Sequence, residues 1–173
     1  MSAFKKVAVI GTGTMGPGMG AVLERAGCET RLYDVSQAAL DKAAIVLDVA
    51  RGVLDRLSAP QVAGGSIRFC SDLADAVKDV DLVIEAVPEK LELKHEVFNQ
   101  ILKLAPVGAV LSSNTSGIPI TKIAAGCDSG ADRIIGMHWS NPPHLIPLIE
   151  VIPGEETSED VTKQLMEFSE SFG

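Results

Sequence analysis

A histidine that closes a strand-like run is the first candidate for acid–base chemistry in this chain. His138 ends the apolar run 134–138, and Asn141 follows it by three residues. Imidazole exchanges a proton near neutral pH, and a buried carboxylate on its second ring nitrogen would fix the tautomer and stabilise the charged form. Glu150 is the candidate carboxylate, because it lies within the apolar run 148–152, where an unpaired charge would be costly. The pattern predicts a general base, His138, oriented by Glu150.

Two further groups of polar residues follow strand-like runs. The segment 112–117 (Ser-Ser-Asn-Thr-Ser-Gly) offers hydroxyl and amide groups, although such residues also form turns and caps. Glu89 follows the run 82–87, and Lys94 lies in line with the apolar positions of the next helix, so its side chain should point inward. Ligands bind beyond the carboxyl ends of the strands in an open parallel sheet, which makes both groups candidates for ligand contacts. A lysine whose stem covers apolar surface while its charge stays in water is the alternative for Lys94.

A glycine-rich turn near the N-terminus has the spacing of a dinucleotide-phosphate site. It lies between the apolar run 7–10 and a helical pattern at 14–26, and its residues are Gly11, Thr12, Gly13, Thr14, Met15 and Gly16. The first glycine permits the tight turn, the second lets the backbone approach a pyrophosphate, and the third lets the helix pack close to the strand. Free N–H groups at the helix N-terminus then favour the phosphate charge. GxGxxG alone is a weak motif, but here strand, turn and helix follow in the required order.

Asp34 indicates which dinucleotide the turn would accept. It ends the run 30–34, about twenty residues after the turn, where a carboxylate accepts hydrogen bonds from the adenosine ribose hydroxyls. A 2′-phosphate would meet its negative charge, and Val35 and Ser36 provide no arginine to neutralise that phosphate. The sequence therefore favours NAD over NADP, while the glycine motif alone leaves FAD open.

These residues need a parallel sheet to bring them together, and the chain has the corresponding alternation of short β-branched runs and longer helical patterns. Strands are predicted at 7–10, 30–34, 67–70, 82–87, 109–112, 134–138 and 148–152, and helices at 14–26, 36–57, 72–78, 89–104, 119–125 and 157–171. The alternation predicts an α/β fold with a doubly wound, mostly parallel sheet, a Rossmann-type dinucleotide-binding domain over residues 1–173. Helix 36–57 carries a second apolar line, Ile45, Val49 and Val53, which is either a broad core face or a surface for another domain or subunit.

Composition and charge argue against several other classes. Lys plus Arg number 15 against 23 for Asp plus Glu, and the net charge of −8 disfavours nucleic acid and anionic membranes as partners. No apolar run approaches the ~18 residues of a membrane span, and the first is too short for a secretion signal, so we expect a cytoplasmic protein. The three cysteines are widely spaced, which predicts neither a disulfide framework nor a metal site.

Together these residues resemble the NAD-binding domain of the 3-hydroxyacyl-CoA dehydrogenase family, over nearly the whole chain from Lys6 to Gly173. The resemblance is carried by the glycine turn, Asp34, Pro88-Glu89 with Lys94, Ser113-Asn114-Thr115-Ser116, and Gly136-Met137-His138 with Asn141-Pro142 and Glu150. It implies His138 as general base with Glu150 as its partner, and contacts from Ser116 and Asn141 to the substrate oxygen or the histidine. It also implies NAD as cofactor, bound by Gly11, Gly13, Thr14, Met15, Gly16, Asp34, Glu89 and Lys94.

The resemblance implies further features of the whole protein. Family members continue into a helical domain that completes the substrate pocket and forms a homodimer, so the second apolar line of helix 36–57 would face that domain. Acyl-CoA members of the family belong to fatty acid metabolism. The expected reaction is hydride transfer between NAD and a secondary alcohol resembling a 3-hydroxyacyl-CoA.

Two other functions remain open at this point. Region 36–68 is a poor site for the CoA phosphates, because its cations (Lys42, Arg51, Arg56 and Arg68) are offset by Asp41, Asp48 and Asp55. The segment 138–144 is also similar to the corresponding segment of family relatives that oxidise small carboxylates without CoA. One of these relatives is a dehydrogenase of a pyridine-carboxylate aldehyde. The same chemistry on such a carboxylate is the first alternative. A non-catalytic NAD-binding or docking module is the second.

Overall fold

The alternation of apolar runs and helical patterns becomes an alternation of strands and helices in the computed structural model, which describes residues 4–172. The strands are β1 (Lys6–Ile10), β2 (Glu29–Tyr33), β3 (Ser66–Cys70), β4 (Leu82–Glu85), β5 (Val110–Ser113), β6 (Ile134–Trp139) and β7 (Ile149–Pro153). The helices are α1 (Gly16–Arg25), α2 (Gln37–Arg56), α3 (Leu73–Val77), α4 (Leu91–Leu104), α5 (Ile120–Ala125) and α6 (Glu159–Glu170), with a 3₁₀ turn at Ala131–Arg133. Gly173 lies outside the described residues.

The seven strands form one sheet in the order β3-β2-β1-β4-β5-β6-β7. The first six strands are parallel, and β7 pairs antiparallel with β6. This arrangement confirms the predicted doubly wound, mostly parallel α/β fold. Strand order reverses between β1 and β4, and a ligand crevice opens at such a reversal, beyond the carboxyl ends of the strands.

Helices cover both faces of the sheet, and the alternating side chains of β1 contribute to both cores. Val7 and Val9 belong to the core formed with α1 and α6. Ala8 and Ile10 belong to the core formed with α3, α4 and α5. Both sets of side chains are at most 1% exposed, so β1 is fixed from two sides and the glycine turn that follows it has a rigid base.

Helix α2 buries one of its two apolar lines. Leu40, Ala43, Leu47, Ala50 and Leu54 are buried on the predicted core face. On the second line, Ile45 and Val49 are 68% and 60% exposed. The broad core face considered from the sequence is therefore wrong, and a surface for another domain or subunit stays a prediction. Within residues 4–172 no helix, including this long one, is apolar enough over a sufficient length to cross a membrane.

The last helix begins two residues later than predicted, at Glu159. Ser158 caps α6 by accepting a hydrogen bond from the backbone N–H of Val161. Thr157 instead donates its hydroxyl to the carbonyl of Ile134 at 2.6 Å and accepts from the N–H of Gly154. Thr157 thus connects the end of β7 to the start of β6.

Candidate active site

The glycine turn after β1 has the backbone geometry that its motif requires. Gly11 has φ +107°, and a Cβ atom there would lie 2.6 Å from the carbonyl oxygen of Ala86, so only glycine fits. A Cβ atom on Gly16 would overlap the carbonyl oxygen of Gly11. At Gly13, in contrast, a Cβ atom would meet no other atom within 4 Å. The first and third glycines are needed by the protein itself, whereas the second leaves open space beside the backbone.

Helix α1 begins at Gly16, two residues later than predicted, with Pro17 in its first turn. Proline is well suited there because the first N–H groups of a helix have no partner within the helix. The remaining N–H groups of this end carry a partial positive charge towards the turn. Thr14 and Met15 lie just before the helix and line the same cavity as Gly13.

Asp34 follows β2 directly and faces the glycine turn. Its Oδ2 accepts hydrogen bonds from the N–H of Thr12 at 2.9 Å and from the Thr12 hydroxyl at 3.0 Å. Its Oδ1 accepts from the N–H of Ser36 at 3.0 Å. The N-cap of α2 is Ser36, so Asp34 is not the capping residue of this helix. An ionised carboxylate has about four accepting positions, so the half-buried Asp34 keeps the capacity to accept from a ligand.

A cavity of about 750 Å³ joins the glycine turn to Asp34. It lies beyond the carboxyl ends of β1, β2 and β4, and α4 forms its far wall. Apolar side chains supply much of the lining, among them Ile10, Leu73, Val87, Leu93 and Val97. Volumes of ~300–1,000 Å³ with a few placed polar groups are usual for cofactor sites. The open space at Gly13, the helix N-terminus and the Asp34 carboxylate together fit a dinucleotide.

His138 and Glu150 meet on neighbouring strands. His138 lies in β6 directly opposite Glu150 in β7, and its Nδ1 is 2.7 Å from Oε2 of the carboxylate. Nε2 of His138 forms no hydrogen bond within residues 4–172. The side chains of His138 and Glu150 are 26% and 57% exposed. The predicted contact is present, but the expected burial of Glu150 is wrong because β7 is an edge strand and turns this residue to solvent.

Ser116 and Asn141 lie near the ends of β5 and β6 and are both exposed. Their side chains make no hydrogen bond with any other residue of the described part of the chain. The backbone N–H of Ser116 donates to Glu89 at 3.2 Å. The structure therefore leaves both polar side chains free for a ligand and does not connect either of them to His138 by a hydrogen bond.

Lys94 points inward as predicted, and it is buried. Its side chain is 1% exposed, and Nζ lies 2.8 and 2.9 Å from the two carboxylate oxygens of Glu85. One oxygen of a second carboxylate, Oε2 of Glu89, lies 3.3 Å from the same Nζ. The alternative of a lysine with its charge in water is wrong. Sequence reasoning overlooked Glu85, although an acidic residue at the end of the apolar strand Leu82–Glu85 is an available signal for a buried partner.

Glu89 gathers several donors from the segment after β5. Its Oε1 accepts hydrogen bonds from the Thr115 hydroxyl at 2.5 Å and from the N–H of Gly117 at 3.1 Å. Partial burial raises the pKa of Glu89, but these hydrogen bonds and the charge of Lys94 outweigh that effect and place the pKa below its usual value. Glu89 is consequently ionised at neutral pH.

Segment 112–117 combines structural roles with exposed polar groups. Ser113 is buried and donates its hydroxyl to Glu85. Asn114 accepts from the backbone N–H of Trp139 at 2.8 Å, and Thr115 accepts from the N–H of Ile118. Asn114 also lines the cavity. Because Trp139 is the neighbour of His138, Asn114 connects the cavity to the strand that carries the histidine.

The fold and the cavity define a Rossmann-type dinucleotide-binding domain. The model of one family, the 3-hydroxyacyl-CoA dehydrogenase NAD-binding domain, matches residues 6–173. The chain belongs to this family, whose domain binds NAD.

Two curated relatives show the range of substrates among similar proteins. The chain is 46% identical to the 5-formyl-3-hydroxy-2-methylpyridine 4-carboxylate 5-dehydrogenase of Mesorhizobium japonicum, over 98% of this chain and 55% of that protein. It is 37% identical to a probable 3-hydroxybutyryl-CoA dehydrogenase of Deinococcus radiodurans, over 97% of this chain and 61% of that protein. The chain thus spans a little more than half the length of these relatives.

Two similar solved structures carry the same two kinds of name. The crystal structure of a 5-formyl-3-hydroxy-2-methylpyridine 4-carboxylic acid 5-dehydrogenase, described as an NAD⁺-dependent dismutase, superposes with a TM-score of 0.94 at 44% identity, covering 100% of this chain and 56% of that one. A 3-hydroxybutyryl-CoA dehydrogenase from Escherichia coli K12 superposes with a TM-score of 0.88 at 34% identity, covering 98% of this chain and 37% of that one.

Proposed function

We propose that the protein is an NAD-dependent dehydrogenase that interconverts a hydroxyl and a carbonyl group, with His138 as general base and acid. The observation that carries the proposal is the contact of 2.7 Å between Nδ1 of His138 and the Glu150 carboxylate. This contact fixes the proton on Nδ1 and leaves Nε2 as the basic nitrogen. His138 is not among the residues that line the cavity, but the next residue, Trp139, donates its backbone N–H to Asn114 of the cavity wall, and this link supports placing the reaction beside the cofactor.

The chain's own residues supply the proton chemistry. Nε2 of His138 takes the hydroxyl proton during oxidation, and the Glu150 carboxylate stabilises the imidazolium that results. In the reverse direction the imidazolium donates its Nε2 proton to the developing alkoxide. The exposed side chains of Ser116 and Asn141 are available to hold the substrate oxygen. These side chains would raise the reaction rate by orienting the substrate and by placing polar groups in advance, without forming a covalent bond to it.

The residues that would hold NAD are those around the cavity. Gly13 and the N-terminus of α1 receive the pyrophosphate beside the tight turn that Gly11 and Gly16 allow, and Asp34 accepts from the adenosine ribose. Bound NAD supplies the hydride acceptor, and NADH supplies the donor. Glu89 directly follows Pro88 of the cavity wall, and in this proposal it faces the nicotinamide ribose.

A small carboxylate without CoA is the substrate class that the structure favours. Two of the four cations in region 36–68 are already paired: Arg51 with Glu24 and Asp48, and Arg68 with Asp75. A CoA phosphate would have to compete with these carboxylates. The relative at 46% identity acts on a pyridine carboxylate, which agrees with this preference. A 3-hydroxyacyl-CoA is the second candidate, supported by the relatives named as acyl-CoA dehydrogenases. The family resemblance also implies a helical domain after this one, a dimer and a place in fatty acid metabolism, and we keep all three as proposals.

The deciding experiment has two stages. Calorimetric titration of the chain with NADH and NADPH tests the cofactor site, and we expect binding of NADH alone. Turnover is then measured as consumption of NADH with a pyridine-carboxylate aldehyde and as formation of NADH with a 3-hydroxyacyl-CoA, using His138→Gln as the matched inactive variant. Turnover that survives His138→Gln would contradict the proposed base. Tight NADH binding without turnover of either substrate class would favour a non-catalytic NAD-binding module.

A further inference from the structure

A pair of opposite charges is buried beneath the surface that carries Glu89. The side chains of Glu85 and Lys94 are 0% and 1% exposed. Each carboxylate oxygen of Glu85 accepts two hydrogen bonds. Besides Lys94, its oxygens accept from the N–H of Val87 at 2.7 Å and from the Ser113 hydroxyl at 2.6 Å. Burying two charges is costly, and apolar residues of the same volume often serve stability equally well. The pair therefore calls for a role beyond stability.

Two routes connect this pair to the segment 113–117. In the first, Lys94 approaches Oε2 of Glu89, and Oε1 of Glu89 accepts from residues 115, 116 and 117. In the second, Glu85 accepts from the Ser113 hydroxyl, whose oxygen in turn accepts from the N–H of Thr115 at 3.3 Å. Both routes converge on the same turn, so the pair fixes Glu89 and the turn relative to each other.

The same turn is attached to the strand of the histidine. The N–H of Asn114 donates to the backbone carbonyl of Glu85 at 2.8 Å, and its side chain accepts from Trp139, next to His138. A shift of the turn would therefore displace Ser116 and Glu89 together with respect to His138. Displacements of about 1 Å in such sites cost up to ~10²-fold in rate.

We propose that Glu85 and Lys94 are positioning residues, which hold Glu89 and the turn 113–117 in place without touching cofactor or substrate. The proposal rests on the proposed function, because it assigns Glu89 to the cofactor side and the turn to the substrate side. This role differs from the direct contact between Lys94 and NAD that the family resemblance implies. The ammonium group of Lys94 is buried, and it would act on the cofactor only through Glu89.

The test neutralises the pair without leaving a buried unpaired charge. In the double variant Glu85→Gln/Lys94→Met, we expect faster hydrogen exchange of the Ser116 and Gly117 amides, measured by NMR on the chain without cofactor. We also expect about tenfold weaker NADH binding, comparable to the loss of one hydrogen bond to a charged group. Glu89→Gln should reproduce both effects, and the triple variant should bind NADH no more weakly than Glu89→Gln alone.

The matched control is Ser112→Ala, which removes a neighbouring buried hydroxyl that bonds only to the carbonyl of Val83. It should leave both readouts unchanged. If the double variant does not fold, Ser113→Ala interrupts the second route while preserving the ion pair, and it should still accelerate exchange at Thr115.

The outcomes separate the positioning role from the proposed function. Unchanged amide exchange in the double and Ser113→Ala variants would overturn the positioning role. The positioning role would also be overturned if the loss of NADH affinity in the triple variant equalled the sum of the losses in the double variant and in Glu89→Gln. Lys94 would then act on the cofactor independently of Glu89. If the unaltered chain binds no NADH, the proposed function fails, and amide exchange alone decides whether the pair positions the turn.

Discussion

His138 and Glu150 are direct partners across the antiparallel ladder of β6 and β7, with Nδ1 and Oε2 2.7 Å apart. Side chains alternate between the two faces of a strand, so a slip of one residue in this register would place the two groups on opposite faces. The connection between β6 and β7 therefore sets the contact. Because Glu150 is 57% exposed, it contributes orientation of the imidazole together with a charge that solvent partly screens.

The first prediction separates catalysis from cofactor binding. In the active protein, His138→Gln should lower kcat by ~10²–10⁴-fold because the proton acceptor is lost. The affinity for NADH should stay within about twofold, since no residue of the glycine turn is altered. Glu150→Gln should lower kcat by a smaller factor, ~10–10²-fold, because the ring keeps a hydrogen-bond partner but loses the charge that stabilises imidazolium.

Steady-state kinetics and calorimetry on the same preparations measure both quantities. Glu156→Gln, an exposed acid away from the histidine, is the control and should behave as the unaltered protein. A Glu150→Gln variant with full activity would show that the charge of Glu150 has no catalytic role.

Much of the fold was accessible from local sequence patterns. Each strand of the sheet coincides with a predicted run. The agreement has a clear cause for β1 and β4, which are buried on both faces and are therefore nearly continuous apolar segments. Strand ends were less accurate: residues 86 and 87 continue the apolar run but lie beyond β4. Their apolar side chains line the cavity instead of extending the ladder.

The site was only partly predictable, because some of its relationships depend on tertiary neighbours. The inward direction of Lys94 followed from helical spacing, but its partner Glu85 lies nine residues away on a strand. The exposure of Glu150 depends on β7 being the edge of the sheet, which the apolar character of its neighbours does not reveal. Helical and strand periodicity predict which face a residue occupies but not what lies opposite it.

The second prediction concerns cofactor choice at Asp34. Asp34→Arg should weaken NADH binding by ~10–10²-fold, since hydrogen bonds to a charged acceptor are lost, and should improve binding of NADPH. Calorimetric titration with both cofactors measures the change. Asp41→Asn, on the first turns of α2 and bonded to Gln37, is the matched control. An unaltered preference for NADH in the arginine variant would remove Asp34 from ribose recognition.

The third prediction uses two glycines of one turn. Gly11→Ala should destabilise the protein by about 1–3 kcal/mol, because the backbone conformation is unfavourable for alanine and the new methyl group would meet the carbonyl of Ala86. Gly13→Ala should leave the free energy of unfolding within about 0.5 kcal/mol, since its surroundings are open. The same open space is where the pyrophosphate should approach, so Gly13→Ala should still weaken NADH binding at least tenfold.

Urea unfolding and NADH titration of the two variants decide this prediction. Normal NADH affinity in folded Gly13→Ala would mean that the pyrophosphate does not approach this part of the backbone. A Gly11→Ala variant as stable as the unaltered protein would show that the turn rearranges readily.

The fourth prediction concerns acid stability at the opposite end of the sheet, where Asp79 pairs with Arg31 and Lys6. Hydrogen bonds from Arg31 and Lys6 hold the pKa of Asp79 well below its usual value of 3.8. A carboxylate with a lowered folded-state pKa stabilises the fold above its unfolded pKa, and the contribution disappears as the pH falls through the folded pKa. Asp79→Asn should therefore destabilise by roughly 1 kcal/mol at pH 7, a value reduced by the partial exposure of the pair. The difference in free energy of unfolding between Asp79→Asn and the unaltered protein should be constant between pH 5 and 8, where carboxylates are ionised. This difference should shrink as the pH falls below 3.8.

Urea unfolding over this pH range measures the difference, with Asp128→Asn, an exposed acid outside any ion pair of residues 4–172, as control. A difference that persists unchanged in acid would mean that Asp79 acts through its shape and neutral hydrogen bonds. Its disappearance would establish that the charge on Asp79 is what stabilises the buried Arg31, because the guanidinium stays protonated throughout and only the carboxylate titrates.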